Sequence, residues 1–348
     1  VAVGDDWQSI FAFAGADITL FQKFLELMGH GVEMQIKHTY RNAQELIDIA
    51  GGFIQKNPTQ IKKQLISPKR IKDPVEIVEY DGTTSVLKNW TKAIDECVER
   101  IVKEYGEKKS ILLITRFNFE KDRLCESGYF SEGRGDILIW KKNPNVPITC
   151  LTAHSSKGLG FDNVIILNMK EATFGFPSQL EDDPVLKVVT AQDLSIPYAE
   201  ERRLFYVALT RTKNKVFMVT PQNAPSRFVL ELINDYQIKH SSNLSFEVLE
   251  SNKPKCPMCK ATLKYQANNP YGIPLYMCTN DPEICDFMTN NKQVLADIYK
   301  CPKCKDGYMI VKESRKNNDF FYGRTNYPIC KNQQNISNEI KSKAIKTL

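Results

Sequence analysis

The feature that most constrains the fold of this chain is a repeated alternation of short apolar runs with longer amphipathic segments. The run at 110–115, SILLIT, is apolar along almost its whole length, as expected of a strand that a parallel sheet buries on both faces. The same pattern predicts strands at 74–80, 110–115, 148–152, 164–167 and 215–220 and helices at 42–55, 91–105, 198–211 and 226–234. Strands that alternate with helices require crossover connections, so the sequence predicts an α/β fold with a mostly parallel sheet covered on both faces.

The composition is that of a globular protein. Of the 348 residues, 42% are hydrophobic and 25% are charged. No run approaches the roughly 18 apolar residues of a membrane helix, so we expect a cytoplasmic protein without a membrane partner. An acidic, proline-containing stretch without periodicity, at 171–196, is predicted to be a surface insertion.

Cysteines and positive charge are concentrated in the C-terminal part of the chain. Seven of the ten cysteines and a net charge of +8 lie beyond residue 250, whereas the first 250 residues carry about −2. Cys256, Cys259, Cys278 and Cys285 follow the pattern C-x2-C-x18-C-x6-C, which is typical of a structural Zn²⁺ site because each pair points two sulfurs at one metal. Disulfides between these cysteines are the alternative, but a reducing compartment disfavours them.

Polar residues are embedded at the ends of the apolar runs in four short motifs. They are GDDWQSIFAFAGAD at 4–17, TYRN at 39–42, TAHSSKGLGFDNVIIL at 152–167 and EERRLFYVALTRTK at 200–213. In this order and spacing they resemble motifs III, IV, V and VI of the UvrD/Rep family of superfamily 1 DNA helicases, of the helicase IV type. The resemblance implies the end of a first RecA-like motor lobe at 1–36 and a second RecA-like lobe of the P-loop NTPase type at 37–250.

The resemblance also assigns residues to a nucleotide. It places Gln8, Arg41 and Arg211 at the γ-phosphate, with Arg211 as the arginine finger, and it packs Tyr40 on the adenine. The planar guanidinium of arginine suits this role because it stays charged and binds phosphate oxygens in a bidentate manner. Either arginine would otherwise form an ordinary surface ion pair.

A second group of residues is expected to contact single-stranded DNA. By the resemblance, Phe11 and Phe13 lie near the bases, and stacking on a ring suits a translocase because every base has a π-face. Both rings would otherwise belong to the core. Thr152, His154 and Lys157 are placed at the DNA backbone, where hydroxyl, imidazole and ammonium donors grip phosphates without reading sequence.

The chain departs from the family pattern in two ways. Relatives read KGLEF where this chain has KGLGF, so Gly160 either dispenses with a contact to the nucleotide sugar or lowers nucleotide affinity. The phosphate-binding loop G-x-x-x-x-G-K-[ST] and the acidic Mg²⁺-binding strand end are absent from the 348 residues. We therefore expect a C-terminal portion of a longer ATP-dependent 3′–5′ helicase that does not hydrolyse ATP alone. ATP and Mg²⁺ would be bound mainly by a missing N-terminal motor lobe, and the other partners would be single-stranded and forked DNA. A non-catalytic nucleic-acid-binding module with relic motor motifs is the alternative.

The C-terminal part divides into two predicted modules, 251–300 and 301–348. The second resembles the zinc ribbons of the topoisomerase I type, whose ending G-C-x-N-Y-P-x-C corresponds to GRTNYPIC at 323–330. Cys301, Cys304 and Cys330 match the pattern, but Arg324 stands where a further cysteine is expected. This second Zn²⁺ site is therefore either completed by another ligand or has lost its metal.

Overall fold

The computed structural model describes most of the chain and divides it into two compact units. The described residues are 3–11, 23–32, 34–180, 196–240, 244–246, 254–256, 258–259, 261–266, 275–279, 285, 287–289, 299–304, 308–314, 319–324 and 329–345. The units are Val1–Asn252 and Lys253–Leu348. In the part of the chain so described, no helix is both long and apolar enough to cross a membrane.

The first unit is built on a seven-stranded sheet. Its strands are β1 Val75–Tyr80, β2 Ile111–Thr115, β3 Phe130–Glu132, β4 Ile137–Trp140, β5 Ile148–Thr152, β6 Asn163–Ile166 and β7 Val216–Pro221. The order across the sheet is β1-β7-β6-β2-β5-β4-β3, and the first five of these strands are mutually parallel. The predicted α/β fold with a mostly parallel sheet is therefore confirmed. The antiparallel β3 and β4 at one edge were not predicted, because such short strands carry little periodic signal.

Helices cover both faces of this sheet. They are α1 Phe24–Met28, α2 Gln44–Gln55, α3 Val86–Tyr105, α4 Phe119–Glu126, α5 Ala199–Leu209 and α6 Arg227–Tyr236, and a short 3₁₀ helix spans Asp6–Gln8. The helix predicted at 91–105 begins one and a half turns earlier than expected. It ends where Gly106 adopts φ +88°, a left-handed conformation that glycine tolerates without a Cβ penalty.

Alternate residues of the central strands enter two separate cores. Leu112 and Ile114 of β2 pack with α2, α5 and α6, whereas Ile111 and Leu113 pack with α3 and α4. All four side chains are fully buried. A strand with apolar residues on both sides therefore occupies the middle of the sheet, as the unbroken run at 110–115 indicates.

The prediction of a surface insertion at 171–196 is wrong for its first ten residues. The Phe176 ring is fully buried and makes edge contacts with Phe205 and Phe228. The Glu171 carboxylate accepts hydrogen bonds from Arg227 Nε at 3.0 and 3.1 Å. A loop without periodicity can still insert one aromatic ring into a core, and sequence patterns do not detect this. Residues 181–195 lie outside the described part of the chain.

The second unit consists of two small antiparallel sheets and a terminal helix. The first sheet contains β8 Leu263–Gln266, β9 Leu275–Cys278 and β10 Met288–Thr289, and the second contains β11 Tyr299–Lys300, β12 Tyr308–Glu313, β13 Phe320–Arg324 and β14 Gln334–Asn335. The helix is α7 Asn338–Ile345. Each sheet has a small cluster of buried residues, and Ile310 of β12 also packs against the cluster of the first sheet. Cysteines make up much of that first cluster. Cysteine clusters on small antiparallel sheets fit the predicted zinc-ribbon modules.

Candidate nucleotide and nucleic-acid site

One cavity of the first unit, of about 350 Å³, is lined by all four residues assigned to a nucleotide. Gln8 ends the 3₁₀ helix, Tyr40 and Arg41 precede α2, and Arg211 follows α5. These positions are up to 203 residues apart in the sequence. The structure thus brings the predicted residues together on one surface.

Arg211 is held rigidly at the wall of this cavity. Its side chain is buried, with Nε donating to the Val207 carbonyl oxygen at 2.8 Å and Nη1 donating to that of Leu159 at 3.1 Å. Nη2 contacts Gln8 Oε1 at 3.5 Å. Burial, with a smaller effect of the nearby Arg41, lowers the pKa of Arg211 to about 10. The guanidinium therefore remains charged at neutral pH, fixed in place and close to a second cation, which is an arrangement that favours an anionic ligand.

The two arginine-bearing segments are tied together by Asn42. Its Nδ2 donates to the carbonyl oxygens of Thr210 at 3.2 Å and Thr212 at 2.7 Å. Arg41 directly precedes Asn42, and Arg211 lies between Thr210 and Thr212, so this link sets the separation of the two arginines. The Tyr40 ring is 78% exposed at the same cavity, so its faces are open to an aromatic ligand.

Gln8 is positioned by the segment that precedes it. Its Nε2 donates to Asp5 Oδ2 at 2.6 Å, which leaves Oε1 turned toward Arg211. The neighbouring Trp7 is buried against Tyr206 in an edge-to-face contact and donates from Nε1 to the Ile61 carbonyl oxygen at 2.9 Å. The 3₁₀ helix is thus anchored in the same core as α5.

Gly160 lies directly against Arg41. A Cβ added at Gly160 would be 3.2 Å from Arg41 Nε, closer than most real Cβ contacts. A glutamate at this position would therefore meet the guanidinium of Arg41. The glycine lets Arg41 lie against the backbone of the KGLGF segment.

The residues assigned to DNA form a second surface beyond the carboxyl end of β5. The Phe11 ring lies 4.8 Å from Lys157 Nζ and 6.3 Å from the His154 ring. The Thr152 hydroxyl is bonded to Ser155 Oγ at 2.9 Å. The structure thus places Phe11, His154 and Lys157 together, and Phe13 lies outside the described residues.

Sequence reasoning missed an aromatic cluster next to this surface. Phe117, Phe119 and Phe174 have ring centroids 5.4 to 5.8 Å apart, and Arg116 lies 4.8 Å above the Phe117 ring. The signal was the sequence RFNF directly after the buried strand β2. The charge of Arg116 also adds to the effect of burial in lowering the pKa of the His154 imidazole.

We expect the His154 imidazole to be neutral at pH 7. Burial, with a smaller contribution from Arg116, lowers the pKa of His154 to about 4. Unfolded histidine binds a proton near pH 6.5, so the free energy of unfolding is expected to decrease as the pH falls from about 6.5 to 4. NMR titration of the four histidines measures the pKa of His154 directly. A midpoint near 6.5 for the resonance that disappears in His154→Gln would contradict it.

Two groups of cysteines could each hold a metal ion. The sulfurs of Cys256, Cys259, Cys278 and Cys285 lie within 4.8 Å of one another, with 3.7 Å between Cys256 and Cys285 and 3.3 Å between Cys259 and Cys278. Tetrahedral zinc–thiolate geometry separates sulfurs by about 3.8 Å, so the first group fits Zn²⁺. The second group, Cys301, Cys304 and Cys330, supplies three sulfurs within the same limit.

Comparison with known proteins identifies two regions. Residues 138–223 match the family described as UvrD-like helicase C-terminal domain, and residues 298–339 match the family described as topoisomerase DNA binding C4 zinc finger. DNA helicase IV of Escherichia coli (strain K12) is 31% identical over 233 residues, which cover 67% of this chain and 31% of that protein. The ATP-dependent DNA helicase Rep of Buchnera aphidicola is 27% identical and covers 52% of this chain and 25% of its own length. ATP-dependent DNA helicase PcrA of Leuconostoc citreum is 26% identical and covers 52% of this chain and 23% of its own length.

These matches confirm the resemblance that the motifs predicted. The chain carries a UvrD-like helicase C-terminal domain and a topoisomerase-type zinc-ribbon region. It spans between about a quarter and a third of the length of these relatives.

Proposed function

We propose that this chain is the C-terminal motor portion of an ATP-dependent 3′–5′ DNA helicase, on the basis of its UvrD-like helicase C-terminal domain. It would translocate on single-stranded DNA and unwind duplexes and forks, together with a phosphate-loop lobe that supplies most of the ATP and Mg²⁺ contacts. The observation that carries the proposal is the shared cavity of Gln8, Tyr40, Arg41 and Arg211. The motor boundaries at 1–36 and 37–250 remain part of this proposal.

The chemistry of the cavity fits stabilisation of a phosphoryl group in transfer. Negative charge spreads over the equatorial oxygens in that transition state, and preorganised donors stabilise it without reorganising. Arg211 meets this requirement because two backbone carbonyl oxygens fix its guanidinium. Gln8, an amide held by Asp5, adds a neutral donor and acceptor beside it. In this proposal Tyr40 stacks on the adenine.

The second surface fits a single strand held without sequence preference. Phe11 offers a half-exposed ring, and Lys157 and the neutral imidazole of His154 supply donors for phosphates. Thr152 would contact the DNA backbone together with Ser155, because their hydroxyl groups are hydrogen-bonded to each other. In this proposal the strand crosses the carboxyl ends of β2 and β5, and Phe13 adds a second stacking ring.

We further propose that Cys256, Cys259, Cys278 and Cys285 bind one structural Zn²⁺. Among the described residues, Leu263 and Phe287 are the other buried members of their cluster, and in so small a module metal binding supplies much of the folding free energy. All ten cysteines are free of disulfides in the structure, in keeping with the proposed cytoplasmic location.

The Lys157→Ala variant is expected to weaken binding to oligothymidine several-fold. Loss of one phosphate contact should also make the negative slope of log K against log salt shallower by about 0.7. Fluorescence anisotropy across a salt series measures both quantities. The matched control is Lys92→Ala, which removes an exposed lysine of α3 that pairs with Glu96. An unchanged slope in Lys157→Ala would contradict the assignment.

DNA-stimulated ATPase of this chain joined to its phosphate-loop lobe tests the proposal as a whole. Turnover that depends on single-stranded DNA is the expected result. DNA binding without turnover would favour the alternative, a non-catalytic nucleic-acid-binding module. The observation that supports this alternative is that Gly160, which lies against Arg41, stands where relatives have a glutamate.

A further inference from the structure

The second cysteine cluster differs from the first in having a buried arginine beside it. The matched family at 298–339 is a four-cysteine zinc finger, whereas this region contains Cys301, Cys304 and Cys330 only. Arg324, at the position expected for the missing cysteine, is 2% exposed and lies at the end of β13. A fully buried guanidinium next to thiols requires a physical explanation.

Arg324 links the two segments that a ribbon metal would link. Its Nη1 lies 3.7 Å from Cys304 Sγ, on the first cysteine turn, and its Nε donates to the Asn332 carbonyl oxygen at 3.2 Å, in the segment after Cys330. Lys312 Nζ, on the neighbouring strand β12, donates to the Arg324 carbonyl oxygen at 2.7 Å. The strand end, the first turn and the later segment therefore meet at one side chain.

Among the described residues, the groups that face the three sulfurs do not complete a zinc site. A structural zinc site normally has four protein ligand atoms with available electron pairs, from cysteine, histidine or carboxylates. In the described part of this module, the side-chain atoms outside the cysteines that reach these sulfurs are N–H donors: Arg324 Nη1, and Asn332 Nδ2 at 3.8 Å from Cys301 Sγ. A guanidinium has no such electron pair, and its charge repels a divalent cation placed beside it.

This module also contains an apolar cluster that includes a residue of its helix. Met309, Val311 and Tyr322 are buried on its sheet, and Ile336 and Ile340, the latter on α7, pack against them. The first module has no such helix among the described residues. Hydrophobic burial can therefore replace part of the stabilisation that a metal gives to small domains.

We propose that the Arg324 guanidinium replaces the metal in the second module, so that 298–339 folds without zinc and this chain binds one zinc ion rather than two. Arg324 then acts as a fixed cationic crosslink between the Cys304 turn and Asn332. The inference does not depend on the proposed helicase activity.

Zinc content of purified single variants tests the proposal. Cys304→Ser and Cys330→Ser are expected to retain the zinc content of the unaltered chain, whereas the matched change Cys259→Ser should lower it by one zinc per chain. A loss of one zinc per chain in Cys304→Ser or Cys330→Ser would overturn the inference. Arg324→Cys is expected to add one zinc per chain, because it completes four thiolates.

Hydrogen exchange provides a readout that does not rely on metal analysis. With a chelator present, amides of β12 and β13 are expected to keep their protection within a factor of two. Arg324→Ala should speed the exchange of these amides at least tenfold. Arg324→Lys should exchange as fast as Arg324→Ala, because one ammonium cannot reproduce the planar guanidinium that spans both contacts. Loss of β12 and β13 protection with chelator alone would contradict metal-free folding, even if Arg324→Cys fails to fold.

Discussion

Replacement of Arg211 by alanine is expected to reduce DNA-stimulated ATP turnover by about 1,000-fold, at the lower end of the effect of an arginine finger. The reason is geometric: the guanidinium is fixed by the Val207 and Leu159 carbonyl oxygens at the wall of the cavity, next to Gln8. A charge held in place stabilises the transition state without having to reorganise. Steady-state turnover of the chain joined to its phosphate-loop lobe, at saturating DNA, measures the effect.

Two controls separate catalysis from folding. Lys213→Ala removes a half-exposed cation two residues away that only approaches Asp162 at 3.8 Å, and it should leave turnover nearly unchanged. Arg211→Lys keeps a charge but loses the planar fork, so it should remain strongly impaired. Oligothymidine affinity should stay within twofold in all three variants. Turnover near the unaltered level in a folded Arg211→Ala protein would refute the assignment.

Removal of zinc from the first cysteine group is expected to unfold the module that contains β8, β9 and β10. Metal binding supplies most of the folding free energy of such small domains, about 10–16 kcal/mol in zinc-finger peptides. In the described part of this module, Leu263 and Phe287 are the other buried residues of the cysteine cluster, so we expect the metal to supply most of its stability. Hydrogen exchange of β8 and β9 should approach the unfolded rate after chelation, while β2 and β6 keep their protection.

The matched substitutions are Cys256→Ser and Cys125→Ser. Cys256 is fully buried in the cluster, whereas Cys125 is half-buried on α4 and lies outside both cysteine groups. The first change should reproduce the effect of the chelator, and the second should leave β8 and β9 protected. Persistent protection of β8 and β9 in Cys256→Ser, or after complete removal of zinc, would show that this module does not depend on metal.

Much of the fold could be predicted from the sequence because its signals are local. The apolar run of β2 and the helical spacing in α3 extend over consecutive residues. The strand β2 occurs where it was expected, and α3 includes the predicted 91–105 but begins earlier, at Val86. Short elements were less predictable. The strands β3 and β4 and the helix α4 were missed, because three to eight residues carry too little pattern to distinguish a strand or helix from a loop.

The sequence motifs name residues that line the cavity, but they do not give the arrangement of these residues. The motifs named Gln8, Arg41 and Arg211, yet nothing in them revealed that Asn42 would bond to the Thr210 and Thr212 carbonyl oxygens and so join two motifs. Gly160 was recognised as a departure, and only the structure showed that it faces Arg41.

The sequence by itself determined the α/β alternation, the motif residues proposed for a nucleotide and the spacing of the first four C-terminal cysteines, because each is encoded in neighbouring or regularly spaced positions. The tertiary structure alone decided that Phe176 enters the core, that Arg41 and Arg211 share one wall, and that Arg324 lies against Cys304. These are contacts between distant segments, and they follow from how the layers pack rather than from any local period.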